Sequence, residues 1–267
     1  MQLLNQTTRQ KKVHNICDLV ALFPAQFSNR SIHYDAHEFM VYLRDIVQGQ
    51  QRILASNEVK ALRDIQQPRT CFKGILTKVK TCMSCSFEAP NIYEDFEDLS
   101  IPLATSPRKS PLNLRDLLTD FLKDDIVQMH CQFCSPLINV DFSLRTAISL
   151  PPRILTINLK RSLPNFTKSM QQVVCSDRLD LSLEESAMTA SYEHKSTISH
   201  IGSRSNNGHY IAYKRFSQGR CFKIDDARVT EMTRTLSFEE LALSGNNATK
   251  ETPQIFIYDL LLNTSLA

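Results

Sequence analysis

Asn206-Asn207-Gly208-His209-Tyr210-Ile211-Ala212-Tyr213-Lys214 is followed closely by Phe222-Lys223-Ile224-Asp225-Asp226. The first stretch opens on turn residues and continues as a β-prone run. The second is a short strand that ends on two carboxylates. Ser217-Gln218-Gly219 between them supplies the turn of a hairpin. Alternation puts Ile211 and Tyr213 on the face of His209, with Tyr210 and Ala212 on the other. The turn places His209 at the mouth of its strand, where a side chain can face a cleft, and the hairpin sets it near Asp225. A carboxylate there fixes the tautomer and orientation of an imidazole, the third-group role in nucleophilic catalysis. Asp226 is the alternative partner, since neighbouring strand residues face opposite sides. Taken alone, the same residues also read as ordinary surface groups.

Working outward, the last third of the chain reads mainly as strand. Ile154 to Leu159 is a nearly continuous β-prone run after Pro151-Pro152, the pattern of a strand buried on both faces. Tyr192 to His200 and Gln254 to Asp259 read as further strands. The first third reads as helix. Val13, Ile16, Leu19, Val20 and Phe23 recur at helical spacing within residues 13–30. Asp35 is an N-cap with Glu38 three positions on, and Tyr34 and Phe39 flank it as a hydrophobic staple. Phe39, Leu43, Ile46 and Val47 then share one face, and Gly49 is expected to end that helix. A third helical stretch is expected over residues 53–65, closed by Pro68. Helices first and strands afterwards give an α+β chain rather than alternating βαβ units.

Between these parts the texture changes. Phe72 to Lys80 and Ile126 to His130 read as strands, Leu114 to Leu122 as a short helix, and Thr105 to Pro111 as a surface loop. Cys82-x-x-Cys85 and Cys131-x-x-Cys134 form two knuckles of identical spacing. Two intervening residues let a turn aim both sulfurs at one ion, and two knuckles supply the four thiolates that structural Zn²⁺ prefers. The bland alternative is four unligated core cysteines. Cys71, Cys175 and Cys221 stand alone and read as buried thiols.

Composition narrows the function classes. The 267 residues carry 31 Lys and Arg against 28 Asp and Glu, a net charge of +3. Neither that balance nor any basic-aromatic stripe supports nucleic-acid binding. Six glycines form no phosphate loop. No run approaches a membrane span, and Met1 to Lys12 is polar, unlike a signal peptide. The expected compartment is intracellular, cytoplasm or nucleus, where eight cysteines serve as thiols, ligands or nucleophiles.

In family order, the chain resembles the ubiquitin-specific proteases, the cysteine deubiquitinases. Tyr34-Asp35-Ala36-His37-Glu38-Phe39-Met40 resembles the family's Gln-Asp-Ala-His-Glu-Phe-Leu box. The two knuckles resemble its zinc-binding fingers. Leu150-Pro151-Pro152-Arg153-Ile154-Leu155-Thr156-Ile157-Asn158-Leu159-Lys160-Arg161 is similar to its Leu-Pro-x-x-Leu-x-x-x-Leu-Lys-Arg strand. The two hairpin stretches are similar to its catalytic histidine and aspartate boxes, and Ile255-Phe256-Ile257-Tyr258 to its closing strand. The resemblance implies a papain-like α+β fold in one domain: a partial thumb over 1–69, fingers over 70–148 and a palm over 149–267. It implies His209 as general base, Asp225 as orienting partner and Asp226 as support. It places Asp35 and Glu38 near the arginine-containing C-terminal tail of ubiquitin, although both also serve as a helix cap. The acidic run Glu94, Asp95, Glu97, Asp98 reads either as facing a basic part of ubiquitin or as a solvated face. The implied partners are ubiquitin and ubiquitinated proteins, bound by a monomer. The implied reaction is thiol-dependent cleavage after ubiquitin's C-terminal glycine.

One motif of the resemblance is missing. The family's Gly-Asn-Thr-Cys-Tyr-x-Asn box, which carries the nucleophile and an oxyanion-stabilising side chain, does not occur in this sequence. Cys17 is the sole cysteine before Asp35. Its setting, Asn15-Ile16-Cys17-Asp18, lacks the glycine and aromatic signature, and Asp18 opposes thiolate formation. The expectation is a fragment or isoform of an active enzyme. The alternative is a catalytically inactive ubiquitin-binding or scaffold pseudo-protease.

Overall fold

The computed structural model describes residues 27, 34–58, 71–103, 111–183, 188–216, 219–232 and 250–261. Cys17, the periodic run before Phe23, residues 59–70 and most of the expected loop from Thr105 lie outside them.

Asp35 starts the helix that follows it as its sequence dictates. Its Oδ1 accepts hydrogen bonds from the backbone N–H of His37 at 2.7 Å and Glu38 at 3.3 Å, satisfying donors that a helix start leaves open. The helix α1 spans Ala36–Glu58. It runs through Gly49, where a stop was expected. A Cβ placed on Gly49 would point into open space among the described residues, and a glycine inside a helix costs only about 1 kcal/mol, too little to end it unaided. Tyr34 and Phe39 do not staple alone; both rings pack on Phe27, with centroids 5.1 and 5.5 Å away. Arg44 of α1, not an aliphatic residue, is buried, and Val47 stays 52% exposed.

The strands are β1 (Gly74–Cys82), β2 (Ile92–Phe96), β3 (Leu99–Pro102) and β4 (Leu112–Asn113). After helix α2 (Leu114–Phe121) come β5 (Asp125–Cys131), β6 (Ser135–Leu150), β7 (Ile154–Lys160), β8 (Val173–Val174) and β9 (Arg178–Ser182). Then follow β10 (Thr189–Arg204), β11 (Asn207–Arg215), β12 (Cys221–Asp225), β13 (Arg228–Glu231) and β14 (Glu251–Leu260). They form a four-stranded sheet, β2-β1-β6-β5, a large sheet, β13-β12-β11-β10-β14-β7-β3, with β9 on β10, and a parallel pair, β4-β8. β7 and β14 lie side by side near the middle, Ile255 against Asn158 and Tyr258 against Leu155. Both are buried along nearly their whole length, as two-faced burial requires of apolar runs.

Leu155, Ile157, Leu159, Tyr192, Phe256 and Tyr258 fill the main core. Leu114 and Leu118 of α2 and Leu99 and Ile101 of β3 join it, so part of segment 70–148 packs with the large sheet. A second, small core of Cys82, Cys131 and Phe142 sits far along the four-stranded sheet. β6 joins the two, reaching from the second knuckle to Ile148 in the main core. Cys175 and Cys221 are buried as expected, but Cys71 is exposed, because it precedes β1 at the sheet's end rather than pointing into it.

The acidic run has local cations. Glu94 pairs with Lys78 and Asp95 with Lys73. Arg44 Nη2 reaches Asp98 Oδ2 at 2.6 Å and Arg44 Nη1 donates to Glu97 O at 2.8 Å, tying α1 to the β2–β3 turn. His37 Nε2 lies 3.1 Å from the same carboxylate. Burial opposes charge on Asp98, but His37 and Arg44 outweigh it and bring the carboxyl from an ordinary 3.8 to about 2. A folded-state value below the unfolded one contributes stability above pH 4 that is lost as pH falls through about 2. A wild-type chain should therefore exceed Asp98→Asn in urea midpoint at neutral pH. That margin should shrink between about pH 4 and pH 2.

Candidate functional site

The pairing of β11 with β12 sets the hairpin register, Ala212 against Ile224 and Tyr213 against Lys223. Asp225 therefore ends its strand beside the start of β11. His209 Nε2 stands 2.6 Å from Asp225 Oδ1. That hydrogen bond holds the Asp225 carboxyl below its ordinary range. A carboxylate accepts, so Nε2 carries the proton and donates it, and Nδ1 presents a lone pair. The pair is partly open, with 41% and 37% of the two side chains exposed. Asp226 occupies the turn before β13 with φ 51° and is exposed. Its carboxylate lies within 4.8 Å of the other two groups without making the contact that Asp225 makes.

Asp35 is tied to the residue next to His209. Besides capping α1, its Oδ2 accepts from Gln254 Nε2 at 3.1 Å and from the Tyr210 hydroxyl at 3.3 Å. The helix start is thereby fastened to β11 and β14. Asp35 and Glu38 line a cleft of about 480 Å³ together with Lys168, His200 and Asn206. Glu38 is exposed and makes no ion pair among the described residues.

Arg161, at the end of the β7 motif, is buried and organises the segment after it. Its Nε donates to Pro253 O at 2.6 Å and its Nη1 to Gln171 O at 2.7 Å and Ser169 O at 3.0 Å. Burial pulls it down to about 9, still protonated at neutral pH. Sequence reading assigned no role to Arg161, Lys168, His200 or Gln254. Arg161 alone had a signal, a charged residue closing a strand of otherwise core character.

The four knuckle cysteines meet. Cys82 Sγ is 3.6 Å from Cys134 Sγ, and Cys85 Sγ is 3.6 Å from Cys131 Sγ, with all four sulfurs within 4.8 Å of one another. A tetrahedron with Zn–S bonds of about 2.3 Å has sulfur–sulfur edges of about 3.8 Å, so donor set and spacing both fit. At Cys82 burial opposes ionisation, while the backbone N–H groups of Cys85 and Ser84 bring the thiol down to about 7.

The family model for ubiquitin carboxyl-terminal hydrolase matches residues 1–258. Ubiquitin carboxyl-terminal hydrolase 26 of Oryza sativa subsp. japonica is 28% identical over 218 residues, 76% of this chain and 19% of that protein. Probable ubiquitin carboxyl-terminal hydrolase 16 of Schizosaccharomyces pombe is 28% identical over 201 residues, 72% of this chain and 42% of that protein. This chain thus spans less than half of either relative. Among solved structures, the yeast SAGA deubiquitinating module is similar with a TM-score of 0.67 and 26% identity, over 85% of this chain and 51% of that one. The SAGA module of Ubp8, Sgf11, Sus1 and Sgf73 bound to monoubiquitin also has a TM-score of 0.67. At 24% identity over 86% of this chain and 49% of that one, it supports the fold.

Proposed function

Because the chain belongs to the ubiquitin carboxyl-terminal hydrolase family, we propose that it carries the base, the orienter and the tail-binding wall of a thiol-dependent deubiquitinase. The contact of His209 Nε2 with Asp225 at 2.6 Å is the observation that supports this most. With Nε2–H given to the carboxylate, Nδ1 is the atom left to take a proton from a cysteine thiol. After thiolate attack on the carbonyl of ubiquitin's terminal glycine, the imidazolium returns that proton to the leaving amine. Asp225 holds the ring and stabilises its charged form. Asp226 lies close enough to add negative potential beside the imidazolium. The Cys82, Cys85, Cys131 and Cys134 cluster would hold a structural zinc that closes the fingers and takes no part in the chemistry.

The thiol is not supplied by the described residues. His209 contacts no cysteine among the described residues. The complete reaction therefore needs a nucleophile at Nδ1 from outside them. A ubiquitin-binding scaffold is the second reading. It draws on Asp35, Glu38 and the cleft, which would bind a tail without any thiol.

Recognition can be tested without turnover. Ubiquitin should bind the chain, and ubiquitin shortened by its arginine-containing tail should bind less well. Glu38→Arg should weaken binding of intact ubiquitin about three- to tenfold at low salt, less at high salt. Calorimetry showing equal affinity for intact and shortened ubiquitin would remove the cleft from the recognition surface.

A further inference from the structure

We propose that Lys168 and His200 are positioning residues for His209, their contact holding the His200 ring as the wall against which Gly208, and through it His209, is set. The inference rests on the reading of His209 as the base.

The contacts form one chain. Lys168 Nζ lies 2.9 Å from His200 Nδ1 and donates to His200 O at 3.1 Å, and both side chains are buried. Burial, helped by the charge of Arg161 and opposed by Glu251, lowers Lys168 to about 8, so the ammonium persists at neutral pH. An ammonium only donates, so Nδ1 accepts and the neutral ring carries its proton on Nε2. That ring lies against the turn before the catalytic strand. A Cβ on Gly208 would fall 2.3 Å from His200 Nε2 and 2.3 Å from Ile201 O. Gly202, at φ +145°, meets the ring from the other end of the turn, its Cβ position 3.2 Å from His200 Cε1. The Tyr210 ring closes the third side at 4.8 Å. Gly208 is the residue before His209, so a shift of the His200 ring must move the backbone that aims the base.

The segment that delivers Lys168 is sewn to the same turn. Ser205 N–H donates to Phe166 O at 3.0 Å, and Thr167 bridges Arg204. Arg161 grips the carbonyls of Ser169 and Gln171 just beyond Lys168. Lys168 is thus fixed at both ends and reaches one target. A lysine kept merely for solubility would be exposed; this one gives up its hydration to hold an imidazole.

The test reads His209 directly. In the full chain with ¹⁵N-labelled histidine, imidazole spectra should show His209 protonated at Nε2, as its bond to Asp225 requires. In Lys168→Met that tautomer should mix with the Nδ1–H form, and the Nε2 proton should exchange with water about tenfold faster. Lys168→Gln, which keeps a neutral donor, should restore most of the wild-type signature. Ile148→Val, a loss of packing in the main core, should lower thermal stability and leave His209 unchanged. If Lys168→Met does not fold, His200→Phe keeps an aromatic ring, removes both nitrogens, and should disturb His209 in the same way. A folded Lys168→Met or His200→Phe chain with a wild-type His209 spectrum overturns the proposal alone, as does an Ile148→Val chain that disturbs His209 equally. A wild-type chain lacking the Nε2–H tautomer overturns the reading of His209 as base, and the proposal with it.

Discussion

A Cys82→Ser chain is expected to emerge from chelator-free purification without zinc, where the wild type carries one zinc per chain. The sulfurs of Cys82, Cys85, Cys131 and Cys134 already stand at the spacing a tetrahedral ion imposes. Removing one leaves three donors and an open position, which structural sites do not tolerate. Zinc supplies ~10–16 kcal/mol of apparent folding free energy in small zinc-finger peptides. Here the effect should stay local, because the small core of Cys82, Cys131 and Phe142 is separate from the main one. Hydrogen exchange should accelerate by orders of magnitude over residues 80–88 and 128–142 and stay slow over 154–160 and 251–260. Elemental analysis finding no zinc in the wild type, or a full equivalent in Cys82→Ser, would remove the metal from the account.

The second large effect concerns turnover. The chain by itself is expected to leave a ubiquitin C-terminal amide essentially uncleaved and a ubiquitin electrophile uncaptured. His209 has the Asp225 carboxylate beside it but no thiol among the described residues. Loss of the nucleophile costs on the order of 10⁶ in kcat in a serine hydrolase, and loss of an oxyanion donor commonly ~10²–10³, without the two being additive. In a polypeptide that adds the thiol, activity should appear, and Asp225→Asn should lower kcat by up to about 10⁴ by releasing the tautomer. The opposite outcome is specific: capture of Cys17 by the electrophile, abolished by Cys17→Ala and by His209→Ala, would make Cys17 the nucleophile.

Short-range chemistry was legible in the sequence. The Asp35 cap, the two knuckles, the near-continuous burial of β7 and the His209–Asp225 hairpin all follow from residues close together or from strand alternation. Gly49 misled because glycine ends a helix only where the following chain turns away, and here it continues to Glu58. Arg44 with Asp98 is 54 residues apart and Lys168 with His200 is 32. No local pattern marks such partners. Each looks like a surface charge until the sheets bring it inside. Choosing Asp225 over Asp226 likewise needed the register, since alternation left both open.

β14 has a consequence for how this protein is made. It is the latest described strand in sequence, yet it lies between β7 and β10 in the large sheet. Until residues 251–260 have been synthesised, β7 and β10 each keep an edge without its partner strand, that of β7 along an apolar run, the kind of template on which nascent chains stick to one another. The large sheet therefore cannot close stepwise behind the ribosome, and must wait for its keystone. At ~5–20 residues per second, the interval between β10 and β14 leaves those edges bare for seconds. A nonsense mutation just before Glu251 would make that interval permanent.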